Sequence, residues 1–195
     1  MSPLIYSTTL DINFINFLKK LVDNARIEAS SRGLHLAGNI NEQINLNLDK
    51  SSEIEFTNEF YKHVLLALDK FKQYPLGSNI KCNMGIPWIN FQKAGEFNPL
   101  HNHAGALSVV VYVDIPECIA LENTHPSIET NMPSYGKIDF SFLKEDTQIV
   151  TKYSHQPKTS ELLIFPAWLL HTVYPFKSNV ERISISFNIF NIEKI

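Results

Sequence analysis

Hydrophobic residues recur at helical spacing in the first part of the chain. The first set follows Asp11, a residue type favoured as a helix N-cap: Ile12, Ile15, Phe17, Leu18, Leu21 and Val22. A second set forms one apolar stripe within residues 51–74: Ile54, Phe56, Phe60, Val64, Leu65, Leu68 and Phe71. Pro75 and Gly77 are expected to end this second helix. The pattern therefore predicts two amphipathic helices that pack their apolar faces against the rest of the protein.

The hydrophobic pattern changes from helical to alternating near Asn79. From there the apolar segments are short and are bounded by Pro, Gly and Asn, which is typical of strands. The predicted strands cover residues 80–84, 88–93, 99–103, 107–115, 137–143, 149–153, 162–165, 170–174 and 182–190. Residues 117–135 are the least regular part and are predicted to be a long loop, of the kind that closes over a site as a lid.

This order of elements predicts an α+β fold whose β part is a sandwich or barrel of the jelly-roll kind. We expect a single domain, in which residues 1–78 form a mainly helical N-terminal support and residues 79–195 form the β core.

The composition is that of a globular protein. Its 195 residues are 44% hydrophobic and 19% charged, which supplies enough apolar side chain for a core. The formal net charge of −3 and the lack of a basic stripe argue against nucleic acid as a partner. No apolar run approaches the ~20 residues of a membrane span, so we expect a soluble, cytoplasmic protein without a membrane partner. Cys82 and Cys118 do not form a CxxC pair and are expected to be buried free thiols.

Three histidines form the strongest candidate for chemistry. Side chains two apart on a strand point to the same face, so His101 and His103 can approach one metal ion together. His171 follows the apolar run of residues 162–170, where a strand leaves the core, and this position suits a third ligand. Imidazole binds Fe, Zn, Cu and Ni, so the spacing predicts a transition-metal site with open positions for substrate, water or O₂.

Arg182 is the candidate for binding an acid. A turn near Phe176 is expected to fold the chain back and to bring Arg182 close to His171 on the neighbouring strand. Alternation along the last strand places Ser184, Ser186 and Asn188 on the same face as Arg182. A guanidinium binds carboxylates bidentately, so an acid that reaches from the metal to Arg182 is the natural ligand. The alternative for Arg182 is a surface ion pair with Glu181 or Glu161.

These motifs resemble those of the iron(II)- and 2-oxoglutarate-dependent oxygenases. The resemblance rests on Gly95-x5-His101-x-His103, on Phe165-Pro166-x-Trp168-x-x-His171 and on Arg182-Ile183-Ser184-x-Ser186-Phe187-Asn188. Within that superfamily the chain is most similar to the small oxygenases found in marine bacteria and cyanophages. The match covers roughly residues 88–191.

The resemblance implies a double-stranded β-helix with the N-terminal helices packed on its outside. It also implies roles for particular residues: His101, His103 and His171 as iron ligands, Arg182 and Ser184 at the distal carboxylate of 2-oxoglutarate, and Trp88, Asn90 and Tyr112 as further cofactor-binding residues. The implied activity is a dioxygenase, most simply a hydroxylase, that produces succinate and CO₂. Its substrate would be a small molecule or a peptide. A homodimer is compatible with the sequence, and a phage-encoded protein would act in the host cytoplasm.

The chain departs from the better-studied members at one ligand. Their first motif is His-x-Asp/Glu, whereas this chain has His103 at the position of the carboxylate. The ligand set is therefore neutral and donates less electron density to the iron. Asp114 and Glu96 remain candidate carboxylates. Two alternatives stay open: a cupin-like three-histidine dioxygenase that does not use 2-oxoglutarate, and a catalytically silent binding module on the same fold.

The other histidines and the tryptophans are given structural roles. His35, His63, His125 and His155 are expected at the surface or in hydrogen bonds within the core. Trp88 and Trp168 are more typical of core residues than of a substrate platform, although Trp88 also belongs to the family pattern.

Overall fold

The computed structural model describes residues 4–28, 39–125, 130–144 and 149–195. The helices in these ranges are α1 (Ile12–Glu28), α2 (Lys50–Lys70) and the short α3 (Glu117–Leu121), which continues into a 3₁₀ turn, Glu122–Thr124. The strands are β1 (Tyr6–Thr9), β2 (Glu42–Asn45), β3 (Ile80–Met84), β4 (Trp88–Lys93), β5 (Asn98–His101), β6 (Leu107–Asp114), β7 (Ile138–Lys144), β8 (Ile149–His155), β9 (Glu161–Pro166), β10 (Leu170–Val173) and β11 (Glu181–Lys194).

The strands form two antiparallel sheets. The larger sheet has seven strands in the order β1-β9-β6-β11-β4-β2, with β3 also paired to β11, and the smaller sheet has the order β5-β10-β7-β8. From β4 onward the chain passes repeatedly between the two sheets. Their inner faces meet in an apolar cluster that includes Phe140 and Phe165, whose rings lie 4.9 Å apart. This arrangement is a double-stranded β-helix, as the sequence predicted.

The two long helices cover the outer face of the larger sheet. Phe187 of β11 packs against Phe56 and Phe60 of α2, with ring centroids 5.5 Å and 5.0 Å away. All three side chains are almost completely buried, and burial of aromatic side chains of this size is the main driving force for such packing. The odd-numbered residues of β11 thus face the helices, which leaves the even-numbered residues for the interior of the β-helix.

Helix α2 is shorter than the sequence predicted. Asp49 caps its start by accepting hydrogen bonds from the backbone N–H groups of Ser51 and Ser52. The helix ends at Lys70, ahead of Pro75, because Lys72 takes a left-handed backbone conformation with φ of 58°. The apolar stripe begins at Phe56, since Ile54 is 55% exposed.

The predicted strands are confirmed with small differences at their ends. Residues 80–84 and 88–93 have the predicted bounds, whereas the last strand continues to Lys194. The sequence analysis missed β1 and β2 in the region expected to be mainly helical, and it missed α3 in the predicted loop. Strands β1 and β2 are four residues long and lie at the two ends of the larger sheet. Their conformation depends on hydrogen bonds to β9 and β4, which a local pattern does not report.

Within the described residues, no helix has the length and hydropathy needed to cross a membrane. Both cysteines, Cys82 and Cys118, are free thiols, as expected, but their expected burial is wrong, because each is only partly buried near the surface of the fold.

Candidate active site

Three histidine side chains meet at one end of the interior of the β-helix. His101 of β5 and His171 of β10 are direct cross-strand partners, and their ring centroids are 4.2 Å apart. His103 follows the end of β5, and its ring lies 4.9 Å from that of His101 and 5.1 Å from that of His171. One ligand atom from each ring lies within 4.8 Å of the other two. Small side-chain adjustments therefore suffice to place three nitrogens at the ~2.0–2.2 Å that first-row metal ions require.

Backbone carbonyls fix the orientation of two of these rings. The Nδ1 of His101 lies 2.7 Å from the carbonyl oxygen of Pro99, and the Nδ1 of His171 lies 2.9 Å from that of Leu169. Because a carbonyl oxygen only accepts hydrogen bonds, Nδ1 carries the proton in both rings. The Nε2 lone pair of each neutral ring is then free for a metal ion, which is the arrangement that hydrogen-bonded metal-binding histidines adopt.

The environment keeps the histidines in the form that binds metal. Burial, with a further contribution from the nearby His101, lowers the pKa of His103 to about 4. The same two causes lower the pKa of His171 to about 3, although the hydrogen bond to Leu169 opposes them. Both rings are therefore neutral near pH 7, and neutral imidazole is the ligand form. This donor set fits Fe(II).

No carboxylate joins the histidine cluster among the described residues. Glu96, one of the two candidates, instead accepts hydrogen bonds from Asn41 and from the backbone N–H of Lys93, and so it stabilises the turn after β4. Asp114, the other candidate, lies at the far end of β6. The histidine cluster therefore has no carboxylate ligand among the described residues.

Arg182 of β11 lies in the same interior and is only 4% exposed. Its Nη1 donates a hydrogen bond of 2.7 Å to the carbonyl oxygen of Gly136, whereas its buried Nε has no partner. The predicted alternative, a surface ion pair, is wrong, because Glu181 pairs with Arg26 at 2.8 Å and Glu161 with His155 at 2.9 Å. A buried guanidinium without a carboxylate is costly, and an incoming acid would compensate it.

The predicted hairpin between His171 and Arg182 is also wrong. Strand β10 lies in the smaller sheet and β11 in the larger one, so the two residues belong to opposite sheets. The segment between β10 and β11 does not form a hairpin turn. Instead, the side chain of Phe176 is buried, and its carbonyl oxygen accepts a hydrogen bond from the N–H of Gly95. Arg182 and the histidines consequently line one cavity from its two walls instead of lying side by side.

This cavity has a volume of about 800 Å³, including the part of its mouth that is open to solvent. The residues predicted from the sequence all line it: His101, His103, His171, Arg182, Ser184, Ser186, Asn188, Trp88, Asn90 and Tyr112. Sequence reasoning missed several polar residues of its wall: Gln43, Gln92, Asn98, Asn102 and Ser108. Gln92 could have been found, because it lies two residues after Asn90 and shares its face of the strand.

Hydrogen bonds connect the polar residues along the larger sheet. The Nε2 of Gln43 donates to Oδ1 of Asn90 at 2.7 Å, and the Nδ2 of Asn90 lies 3.4 Å from the hydroxyl oxygens of both Ser184 and Ser186. Among the described residues that line the cavity there is no aspartate, glutamate or lysine. The wall therefore offers neutral hydrogen-bonding groups and one cation, which suits a doubly charged acid such as 2-oxoglutarate.

Two expectations for residues outside this cluster can be compared with the structure. Trp168 is 59% exposed, so its expected place in the core is wrong, whereas the ring of Trp88 lies 6.0 Å from that of His103. His63 is hydrogen-bonded to Tyr6 and His155 to Glu161, as expected of structural histidines. His35 lies outside the described residues.

Comparisons with known proteins agree with this geometry. The sequence model of a family described as "Putative 2OG-Fe(II) oxygenase" matches residues 87–188. No curated protein matches the chain.

Solved structures of low sequence identity share the fold. A prolyl-4-hydroxylase from Pseudomonas putida is 13% identical, with a TM-score of 0.61 and coverage of 97% of this chain and 94% of that one. A viral collagen prolyl hydroxylase from Paramecium Bursaria Chlorella virus-1, solved with 2OG, is 16% identical, with a TM-score of 0.59 and 96% coverage of both chains. A prolyl hydroxylase from Trichoplax adhaerens, bound to a hypoxia inducible factor peptide fragment, is 14% identical, with a TM-score of 0.60 and coverage of 97% and 84%.

The family match extends over more than half of the 195 residues and contains all three clustered histidines and Arg182. The chain therefore belongs to the 2OG-Fe(II) oxygenase family and is an oxidoreductase that uses Fe(II) and 2-oxoglutarate.

Proposed function

We propose that the protein hydroxylates a peptide or small-molecule substrate, with His101, His103 and His171 as its iron ligands and Arg182 as its 2-oxoglutarate anchor. The observation that supports this most directly is that three clustered imidazoles and a buried guanidinium with no carboxylate partner among the described residues line one cavity. One group suits a metal ion and the other suits a carboxylate.

Each group of the chain has a definite task in this proposal. Bound iron supplies O₂ activation, coupled to conversion of 2-oxoglutarate to succinate and CO₂. The three imidazoles would hold the metal ion at the wall of the cavity, where the co-substrate can reach it. Arg182 fixes the distal carboxylate of the acid, with Ser184 beside it, and so holds the reactive end of the acid in one orientation. Trp88 and Asn90 line the wall between the two ends.

The substrate class is proposed from the fold relatives and from the shape of the site. One relative is described as bound to a peptide fragment, and another is described as a collagen prolyl hydroxylase. The cavity of this chain opens to solvent and has a polar wall, so it can admit a polar side chain or a small polar molecule. Residues 117–135, the predicted lid, include residues 126–129, which lie outside the described part of the chain, and the described residues of this segment do not line the cavity; α3 gives its first part a defined position.

Anaerobic titration tests the proposed roles. Protein loaded with Fe(II) and then given 2-oxoglutarate should develop a weak visible charge-transfer band, and His171→Ala should lose both metal binding and the band. His155→Ala is the matched control, because His155 lies outside the cavity and pairs with Glu161.

Admission of O₂ should then yield succinate, and screening of peptides and amino acids for stimulation of succinate formation would identify the substrate class. A parent protein that binds neither iron nor the acid would contradict the proposal.

A three-histidine set would also suit a dioxygenase that oxidises a directly bound substrate without 2-oxoglutarate, but the family match argues against this alternative. Oxygen uptake that is independent of any 2-oxo acid, and that survives Arg182→Ala, would support it over the first.

A further inference from the structure

Gln92 is the direct cross-strand partner of Arg182 in the pairing of β4 with β11. Partners in an antiparallel pair point to the same face of the sheet, with their Cβ atoms roughly 4.5–5.5 Å apart. Both side chains are buried, with exposures of 1% for Gln92 and 4% for Arg182, and both line the cavity. The two residues therefore form one unit of the cavity wall.

The amide of Gln92 has a fixed orientation. Its Nε2 contacts two backbone carbonyl oxygens, those of Glu96 and, at 3.4 Å, Tyr174. Carbonyl oxygens only accept hydrogen bonds, so the nitrogen must occupy this position and the amide cannot be turned over. Its Oε1 is left buried without a partner.

The unpaired atoms of the two neighbours are complementary. Gln92 presents an acceptor, Oε1, and Arg182 presents a donor, Nε, and both atoms are buried without a partner. Leaving either of them unpaired is unfavourable, so a hydrogen bond between these two neighbours would be favoured. With Nη1 bound to the carbonyl oxygen of Gly136 and Nε bound to Gln92, the guanidinium would be held on both flanks. Its remaining N–H groups would then point at the ligand.

We propose that Gln92 is a positioning residue for Arg182: it accepts a hydrogen bond from Nε, fixes the guanidinium plane, and thereby sets the affinity for the distal carboxylate of the acid co-substrate. This inference rests on the proposed role of Arg182. Asn98 also has a buried unpaired oxygen in the cavity, but it lies on the smaller sheet and is not a strand partner of Arg182.

Two 2-oxo acids separate positioning from general structural support. 2-Oxoglutarate has the distal carboxylate, whereas 2-oxobutyrate lacks it and interacts with the metal end alone. Calorimetric titration of the Mn(II)-loaded protein measures the affinity for each acid without turnover. Gln92→Leu should weaken 2-oxoglutarate binding about tenfold, the effect of one lost hydrogen bond to a charged group, and leave 2-oxobutyrate binding unchanged.

A second variant and a control complete the experiment. Gln92→Glu places a carboxylate beside Arg182 that competes with the co-substrate, so it should weaken 2-oxoglutarate binding more than Gln92→Leu does, again without effect on 2-oxobutyrate. Gln156→Leu is the matched control, because Gln156 also has a buried unpaired amide atom but does not line the cavity. It should bind both acids as the parent does.

The possible outcomes are distinguishable. Unchanged 2-oxoglutarate affinity in either Gln92 variant, or an equal loss for both acids, overturns the role of Gln92. If Arg182→Ala loses 2-oxoglutarate while the Gln92 variants keep it, only the present inference fails. If the parent binds neither acid, or if Arg182→Ala binds 2-oxoglutarate normally, the proposed function fails first.

Discussion

His101 and His171 face each other as cross-strand partners on β5 and β10, with their rings 4.2 Å apart. On its other side β10 pairs with β7, where Phe140 is the partner of His171. The geometry of the two histidines is thus set by the hydrogen bonds of a sheet and not by a loop. Residues that are distant in sequence are thus held side by side by backbone pairing, which supplies the preorganisation that a metal site needs.

Arg182→Ala should abolish 2-oxoglutarate binding without destabilising the metal-free protein. The guanidinium is buried with no carboxylate partner among the described residues, so its removal relieves an unfavourable charge and costs the bond to Gly136 and the contact with the Tyr112 ring, 5.9 Å away. We expect at least a 100-fold loss in affinity, roughly 3 kcal/mol, and a melting temperature equal to or above that of the parent. Calorimetry and thermal denaturation measure the two quantities.

Arg26→Ala is the control for this variant. Arg26 is more exposed and pairs with Glu42 and Glu181, both at 2.8 Å, so its loss should leave 2-oxoglutarate affinity unchanged and lower the stability modestly. If the two variants lower the melting temperature equally, Arg182 is a structural residue.

His103→Asp should change the affinities for the metal ion and for the acid co-substrate in opposite directions. A carboxylate in place of a neutral imidazole gives the ligand set one negative charge, which favours a dication and disfavours a dianionic co-substrate. We therefore expect tighter Fe(II) binding together with weaker 2-oxoglutarate binding. His103→Asn preserves the neutral charge and should weaken metal binding only. Anaerobic metal and acid titrations of the three proteins would reveal any change in the opposite direction.

Acidification should destabilise the metal-free protein through its buried histidines. In the folded protein the pKa values of His103 and His171 are lowered to about 4 and about 3, whereas an unfolded histidine titrates near 6.5. Between these values the unfolded chain binds more protons than the folded one, so the free energy of unfolding falls as the pH falls below about 6.5. The double variant His103→Gln, His171→Gln should show a shallower dependence between pH 4 and 6.5 in urea denaturation.

Gly136→Ala should weaken 2-oxoglutarate binding by shifting the backbone that contacts Arg182. Gly136 has φ of 64°, a conformation that side chains disfavour, and an added Cβ would collide with the side chain of Ile119 in α3. Since its carbonyl oxygen accepts the hydrogen bond from Arg182, a shift of this backbone should weaken 2-oxoglutarate binding as well as lower the melting temperature. Gly77→Ala also has a positive φ but no neighbour within 4 Å of the added Cβ, so it should lower stability alone. Equal effects of the two substitutions on acid binding would contradict this connection.

Much of the site could be predicted because it is encoded by short-range periodicity. Arg182, Ser184, Ser186 and Asn188 alternate along one strand, so a period of two was enough to assign them to one face. Gln92 follows the same rule on β4 and was accessible to the same reasoning. The same argument for His101 and His103 was wrong in its premise, because β5 ends at His101, and the approach of the His103 ring to within 4.9 Å of the His101 ring is set by the chain that follows the strand. Trp168 was assigned to the core by residue type alone, and its exposure shows that type without periodicity is a poor guide.

The sequence by itself determined the secondary structure of the β core, the two long helices and the candidate residues that line the cavity, because each depends on contacts or alternation within a few residues. Only the tertiary structure decided that His171 and Arg182 face each other from opposite sheets, and that Gln92 stands beside Arg182. Strand order and register arise from hydrogen bonds between segments far apart in the chain, where no local pattern distinguishes a hairpin from a crossing between sheets. The clustered histidines could thus be predicted from the chain, while the shape of the cavity beside them required the fold.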